Sequence, residues 1–236
     1  MQKFGDNQCL IHNMGKVGSI SVQVGIKQAG YKSLHAHYIR GLPEAEYATT
    51  KPPLEKSLRT GGPPYKIISL TRDPVARNIS AFFQGLHKYY PAYKRMEVGD
   101  DTVQAFLDNY KHYSIMNWWI HEFGYFYGPI LDSKRFNKSK GYQIYKDRKR
   151  EILIMRVENF ENLNFRPVAD FLGIEDKVGK MPKSNFMRKK RIGKFYLDFL
   201  EYVKLPEEYL EETYNTPYAQ YFYEPWEIEK FKNRWR

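Results

Sequence analysis

Two short stretches hold residues whose types and spacing suit the handling of an anion such as a phosphate. In the first, Gly15-Lys16-Val17-Gly18-Ser19-Ile20-Ser21 follows a mostly apolar run, Gln8 to His12, and precedes a helical pattern from Ile20 to Ala29. A glycine-bearing turn between a strand and a helix aims successive backbone N–H groups and the positive helix end at one point, which makes an anion cradle. Lys16, Ser19 and Ser21 add a cation and two hydroxyls to it. The nucleoside-triphosphatase loop G-x-x-x-x-G-K-[ST] carries its lysine after the second glycine, whereas Lys16 precedes Gly18, so an ordinary P-loop NTPase is disfavoured. In the second stretch, Lys66 to Thr71 reads as a strand, and Asp73-Pro74 opens a helix running to about Leu86. Arg72 at the strand's end can present a planar fork to a phosphate, and Ser80, two helical turns along, can add a hydroxyl. Arg77 lies between them and suits a structural salt bridge equally well.

The elements that must position these residues alternate between strand and helix. Gly30 caps the first helix and Tyr31 to Tyr38 follows as a second strand, completing a β-α-β unit. Gly41 to Pro64, with several prolines and a Gly-Gly pair, reads as a long connection with at most a short helix around Glu44 to Thr49. Thr102 to Phe126 looks helical and aromatic, and Gly141 to Tyr145 with Ile152 to Val157 suggests two strands joined by a tight charged turn. A short helix from Arg166 to Gly173 precedes a basic loop from Lys177 to Lys194, then helical segments near Tyr196 to Val203, Glu207 to Tyr214 and Glu224 to Trp235. This order implies an α/β fold, a three-layer sandwich with a central, mostly parallel sheet whose ligand site lies beyond the carboxyl ends of the strands. The length suits one domain covering residues 1–236.

The stretch Gly15 to Ser21 resembles the 5′-phosphosulfate loop of sulfotransferases that use 3′-phosphoadenosine 5′-phosphosulfate (PAPS). Ile67 to Phe82 resembles the 3′-phosphate motif of the same superfamily, a strand ending in R-D-P-x-x-R with a serine eight residues after the first arginine. Arg156-Val157-Glu158-Asn159-Phe160 and the following Phe171-Leu172-Gly173 resemble its late strand and helix. Trp118-Trp119, Glu122, Asp132, Phe136 and Gly141-Tyr142 are similar to a bacterial group of capsular polysaccharide synthesis proteins within that superfamily.

The resemblance implies a P-loop-like sulfotransferase fold and an enzyme that moves a sulfuryl group from PAPS to a hydroxyl or amine of a carbohydrate-like acceptor, leaving 3′,5′-adenosine bisphosphate. It assigns Gly15, Lys16, Val17, Gly18, Ser19, Ile20, Ser21, Arg72 and Ser80 to the nucleotide. In the dense basic run that includes Lys183, Arg188, Lys189, Lys190, Arg191 and Lys194, it implies a loop closing over the donor, and the same charges suit the attraction of an acidic glycan. Lys16 would stabilise charge on the leaving oxygen. Transfer of a singly charged sulfuryl group can rest on lysine and helix dipole, so no metal is expected. For the acceptor's base the family offers histidine or glutamate. His35 and His37, on one face of the second strand near its carboxyl end, come first, and Glu122 second. His35 and His37 have no third ligand at a metal-binding spacing.

Composition sets the bounds. Lys and Arg exceed Asp and Glu by enough to give a net charge of +11, which attracts nucleic acid, acidic lipid, nucleotides or acidic glycans without choosing among them. A basic nucleic-acid-binding protein is one alternative, but no helix-turn-helix, RRM signature or zinc-ligand set is present. A small-molecule kinase, requiring magnesium and ATP, is another. A sulfotransferase-like fold without catalysis is disfavoured by Lys16, Arg72 and Ser80 occurring together. Cys9 is the one cysteine, reads as a core residue, and fits a reducing compartment. No run approaches the roughly 18 apolar residues of a membrane span, and residues 1–7 do not resemble a signal peptide. The expected location is the bacterial cytoplasm if Met1 is the native start, or the Golgi lumen if an anchor precedes it. His12, His87, His112 and His121 have no distinguishing context and read mostly as surface or helix-face residues.

Overall fold

Strands rich in Val, Ile and Leu that are apolar on both faces belong in the middle of a parallel sheet, where helices cover each side. The computed structural model of the protein describes residues 8–40, 52–60, 65–91, 97–133, 135–146, 150–175 and 192–236. Its strands are β1 (Gln8–His12), β2 (Lys32–Ala36), β3 (Tyr65–Thr71), β4 (Tyr142–Lys146) and β5 (Arg150–Arg156). They form one sheet in the order β2-β1-β3-β5-β4, parallel throughout except for the antiparallel β4–β5 pair. The helices are α1 (Ser19–Gln28), α2 (Pro52–Arg59), α3 (Pro74–Gln84), α4 (Leu86–Tyr89), α5 (Asp100–Asn109) and α6 (Ser114–Asn117), then a π-helical turn at Trp118–Phe123. They continue with α7 (Gly124–Tyr127), α8 (Ile130–Ser133), α9 (Phe160–Leu163), α10 (Arg166–Leu172), α11 (Gly193–Tyr202), α12 (Glu207–Tyr214), α13 (Pro217–Phe222) and α14 (Pro225–Trp235). The protein is thus α/β with a five-stranded, mostly parallel sheet flanked by helices.

Two compact units divide the chain, one from residues 1–72 and 117–183, the other from 73–116 and 184–236. The first holds the whole sheet. Register sets which side chains share a face: Ile11 lies beside His35 and Ile68, and Ile68 beside Leu153. Cys9, Ile11, Ile68, Leu70, Leu153 and Met155 therefore point one way, into a core with Val22 and Ile26 of α1 and Val168, Phe171 and Leu172 of α10. At Gly25 a Cβ would collide with the Phe165 ring, so glycine lets these layers approach. Burial pushes the Cys9 thiol up to about 12. On the opposite face, Trp118, Phe123, Phe126 and Tyr127 surround the His12 ring at centroid distances of 5.2 to 6.5 Å.

The second unit is helical, and its organising residue is Asp73. This carboxylate, 2% exposed, caps α3 by accepting from Val75 N–H at 3.0 Å. It also accepts from the Tyr214 hydroxyl at 2.7 Å and from Trp235 Nε1 at 3.3 Å, tying α12 and α14 to the start of α3. Arg77, buried one turn later, donates to the Tyr110 hydroxyl at 2.5 Å and to Ser114 Oγ at 2.7 Å. Rings of Phe82, Phe83, Phe106 and Phe199 fill this unit's core.

Several expectations change. Within the stretch read as a connection from Gly41 to Pro64, Pro52–Arg59 is a helix, because prolines in a first turn sacrifice no intrahelical bond. Residues 44–49 lie outside the described residues. The continuous helical reading of Thr102 to Phe126 breaks at Tyr110, whose backbone is extended. Lys194, placed in the basic loop, lies in α11 and pairs with Asp198 at 3.4 Å. The helix Pro217–Phe222, capped by Thr216, was not anticipated. No described helix is long and apolar enough to cross a membrane.

Candidate functional site

The loop after β1 has the backbone of a strained turn. Lys16 adopts φ 74°, one of two non-glycine residues among those described with positive φ, and Gly18 adopts φ 78°. An L-residue in the left-handed region costs about 1–2 kcal/mol, so the surrounding structure must hold Lys16 there. Arg72, at the end of neighbouring β3, does part of this by donating from Nη1 to the Lys16 carbonyl at 3.1 Å. At Gly18 a Cβ would sit 3.1 Å from the Phe160 ring and 3.4 Å from Val157, so the turn also rests on the segment after β5. The three stretches singled out at Lys16, Arg72 and Arg156 to Phe160 thus meet around one loop. Ser19 and Ile20 begin α1, which has no side-chain cap and no acidic residue in its first turn. Its end therefore keeps an uncompensated positive dipole.

His35 ends up on the α1 side of β2, and His37 lies just past the strand. Their rings meet edge to face with centroids 4.7 Å apart. His37 Nδ1 is 2.8 Å from the Asn13 carbonyl. A carbonyl only accepts, so in the neutral ring Nδ1 carries the proton and Nε2 the lone pair. Nε2 faces the loop, 3.7 Å from where a Cβ on Gly15 would stand. His37 is exposed.

Glu122 sits on the other face, in the π-helical turn, at 0% exposure. Its Oε1 accepts from Ile39 N–H at 2.6 Å, Arg40 N–H at 3.3 Å and His12 Nε2 at 3.2 Å. Oε2 is buried and takes no hydrogen bond from the described residues. Four residues earlier, Trp118 Nε1 donates to the His37 carbonyl at 2.6 Å. The helical run thereby pins the segment after β2 at both ends. A π turn, which inserts an extra residue into a helix, brings Trp118 and Glu122 to these partners.

His12 is the residue that sequence reasoning missed. Instead of lying on the surface it is fully buried at the end of β1, because an aromatic shell and two polar partners enclose it. Burial holds its pKa below the ordinary histidine value, against the opposing pull of Glu122. The neutral ring donates from Nε2 to Glu122 and accepts at Nδ1 from the Tyr127 hydroxyl, 3.0 Å away. Burial raises the Tyr127 pKa, which keeps that hydroxyl a donor. Because the unfolded histidine titrates near 6.5, His12 stabilises the fold fully above that pH. Below it the unfolded chain takes up a proton that the folded one refuses, and stability falls by up to about 1.4 kcal/mol per pH unit. His112 is lowered by burial in the other unit and adds the same sign. Urea melts should therefore show wild type losing more stability than His12→Gln between pH 6.5 and about 5.5. Parallel curves for the two proteins would show that His12 takes up its proton in the folded state as readily as in the unfolded one.

Other assigned residues are placed as follows. Gly15, Lys16 and Ser21 are partly exposed, Val17 and Ser19 buried, and Ile20 exposed. Ser80 is buried on α3, in the second unit. Arg188, Lys189 and Lys190 lie outside the described residues. His87 and His121 are exposed, as expected of histidines without context. Among the described residues, no group of three or more His, Cys, Asp or Glu side chains is arranged to hold a metal ion.

Fold and loop define the class: an α/β protein with a mostly parallel sheet and a lysine-bearing glycine turn ahead of its first helix. Residues 99–224, more than half of the chain, match the sequence model of the NKWYS family, described as "putative capsular polysaccharide synthesis protein". The chain belongs to this family. The matched stretch contains Trp118, Glu122, Gly141, Arg156 and Asn159, and it begins beyond Lys16, Arg72 and Ser80. No curated protein matches the chain.

Proposed function

We propose that the protein is a sulfotransferase of capsular polysaccharide synthesis, moving a sulfuryl group from PAPS to a hydroxyl or amine of a saccharide. The observation that carries this reading is the convergence of Lys16, the uncapped start of α1 and Arg72 on one loop. These groups suit the anionic donor. Gly15 to Ser21 would hold its 5′ end, with Arg72 on the 3′-phosphate, the group to which the resemblance also assigns Ser80. The donor supplies an activated S–O bond. An acceptor oxygen forms a new bond to sulfur, the bond from sulfur to the phosphate oxygen breaks, and 3′,5′-adenosine bisphosphate leaves. Lys16 offsets the charge that gathers on that oxygen, and the acceptor's proton passes to His37 Nε2. His35 supports the His37 ring, and Glu122, enclosed and committed to backbone N–H groups, is a positioning residue for the His37 segment.

Calorimetric titration tests the donor. The protein should bind 3′,5′-adenosine bisphosphate more tightly than 5′-AMP or ATP, with magnesium making no difference. Arg72→Ala and Ser80→Ala should each weaken the first about ten-fold or more, the cost of losing a hydrogen bond to a charged group; Ser80→Ala should leave 5′-AMP unchanged, and Arg72→Ala, which also removes a support of the Lys16 turn, should weaken 5′-AMP by much less than the bisphosphate. Preference for ATP with magnesium would make the protein a kinase instead. Equal losses for both nucleotides would assign Arg72 and Ser80 to the fold.

A further inference from the structure

Tyr125 in α7 is one of the few large rings left exposed, at 40%. Two guanidinium groups lie against it, Arg40 with Cζ 4.5 Å from the ring centroid and Arg59 with Cζ 5.7 Å away. Arg59 closes α2 and Arg40 follows β2, so separate parts of the chain deliver two cations to one ring. Among the described residues no carboxylate or carbonyl takes the donors of either guanidinium. Each cation–π contact at an exposed site is worth only about 0.5–1 kcal/mol, and two like charges drawn to one ring repel, so an anion bound by either or both guanidinium groups offsets that repulsion. The backbone at Arg40 is fixed in advance. Glu122 Oε1 holds the N–H groups of Ile39 and Arg40, while Tyr125 stands three residues after Glu122 in the same helical run. His37 precedes Arg40 by three residues, a Cα separation of at most about 11 Å, and its carbonyl is held by Trp118.

We propose that Arg40, Tyr125 and Arg59 form a subsite for the anionic group of a saccharide, a carboxylate or phosphate carried on a sugar. This rests on the sugar-acceptor reading above and narrows it to acidic glycans. Guanidinium groups take such oxyanions in planar, two-pronged fashion, and the exposed part of the Tyr125 side chain adds apolar surface for the sugar. Neither arginine is needed for the donor loop.

Calorimetry on the full chain, with no donor present, tests the subsite. The probes are a glucuronate tetramer, its carboxyl-reduced form, glucose 6-phosphate, glucose and a single-stranded DNA dodecamer. An anionic sugar should bind about ten-fold or more tightly than its neutral counterpart. Arg40→Gln and Arg59→Gln should each erase that preference while melting temperature and affinity for 3′,5′-adenosine bisphosphate stay at wild type. Whichever pair shows the preference identifies the group as carboxylate or phosphate. Equal binding of acidic and neutral sugars, a preference that survives both substitutions, or DNA as the tightest ligand through the same arginines would each overturn the proposal. A wild-type preference for acidic sugar without any binding of adenosine bisphosphate would remove the sulfotransferase reading and leave the subsite standing.

Discussion

Replacing Lys16 with alanine should lower kcat for the proposed sulfuryl transfer by about 10²- to 10³-fold, the range for removing one preorganised group that meets developing charge. Donor affinity should fall by much less, because the interaction strengthens as charge moves onto the leaving oxygen. The left-handed backbone at Lys16 shapes the controls. Alanine keeps the conformational strain and removes the charge, whereas Lys16→Gly removes both, so equal rates for the two variants assign the loss to the ammonium group. In the same steady-state assay, His37→Ala should cost about 10²-fold or more and flatten the acidic limb of the pH–rate profile, as loss of a general base does. His35→Ala and Glu122→Gln should keep that limb. A raised donor KM with unchanged kcat in Lys16→Ala would end the catalytic assignment of this residue. An unaltered profile in His37→Ala would place the base elsewhere.

Asp73→Ala should be the most destabilising single change in the helical unit. It removes an N-cap, worth about 1 kcal/mol, and strands the donors of Tyr214 and Trp235 in a buried site at about 1–3 kcal/mol each. A total near 3 kcal/mol or more corresponds to a melting temperature lower by about 10 °C for a chain of this size. Asp73→Asn retains an acceptor for the cap and should lose less. Burial and the Asp73 carboxylate both hold the Tyr214 pKa well above the ordinary tyrosine range, so its hydroxyl is committed to donating. A melting temperature within about 2 °C of wild type in Asp73→Ala would mean that α12 and α14 are held to α3 by apolar packing alone.

The same aspartate shows what was legible in the sequence. Asp73-Pro74 announces a helix start, and α3 begins there. The strands β1, β3 and β5 were equally plain, since each is a short apolar run between charged or glycine-bearing stretches. Local signals carried no word of Tyr214 or Trp235, which reach Asp73 from more than 140 residues away. His12 failed for the same reason. A solitary histidine at a strand end has no periodicity, and its partner Glu122 lies 110 residues along. Glu122 was found through its resemblance-bearing neighbours, not through chemistry visible in its own segment. The helix α2 falls in a stretch whose prolines and glycines signal a connection, and α13 is too short for a clear hydrophobic period. At the first turn proline is instead permitted, and the Thr216 side chain ahead of Pro217 supplies the cap. The two-unit division is invisible to composition because the chain enters and leaves each unit twice.

Cys9 also decides how the chain can be labelled. Its sulfur is enclosed by the sheet and α1, and with a pKa near 12 it carries almost no thiolate at neutral pH. Thiol-directed dyes and spin labels should therefore leave the native chain unmodified. Because no other cysteine exists, a single cysteine introduced on an exposed position such as Lys27 becomes a unique attachment point. The native background need not be engineered away first.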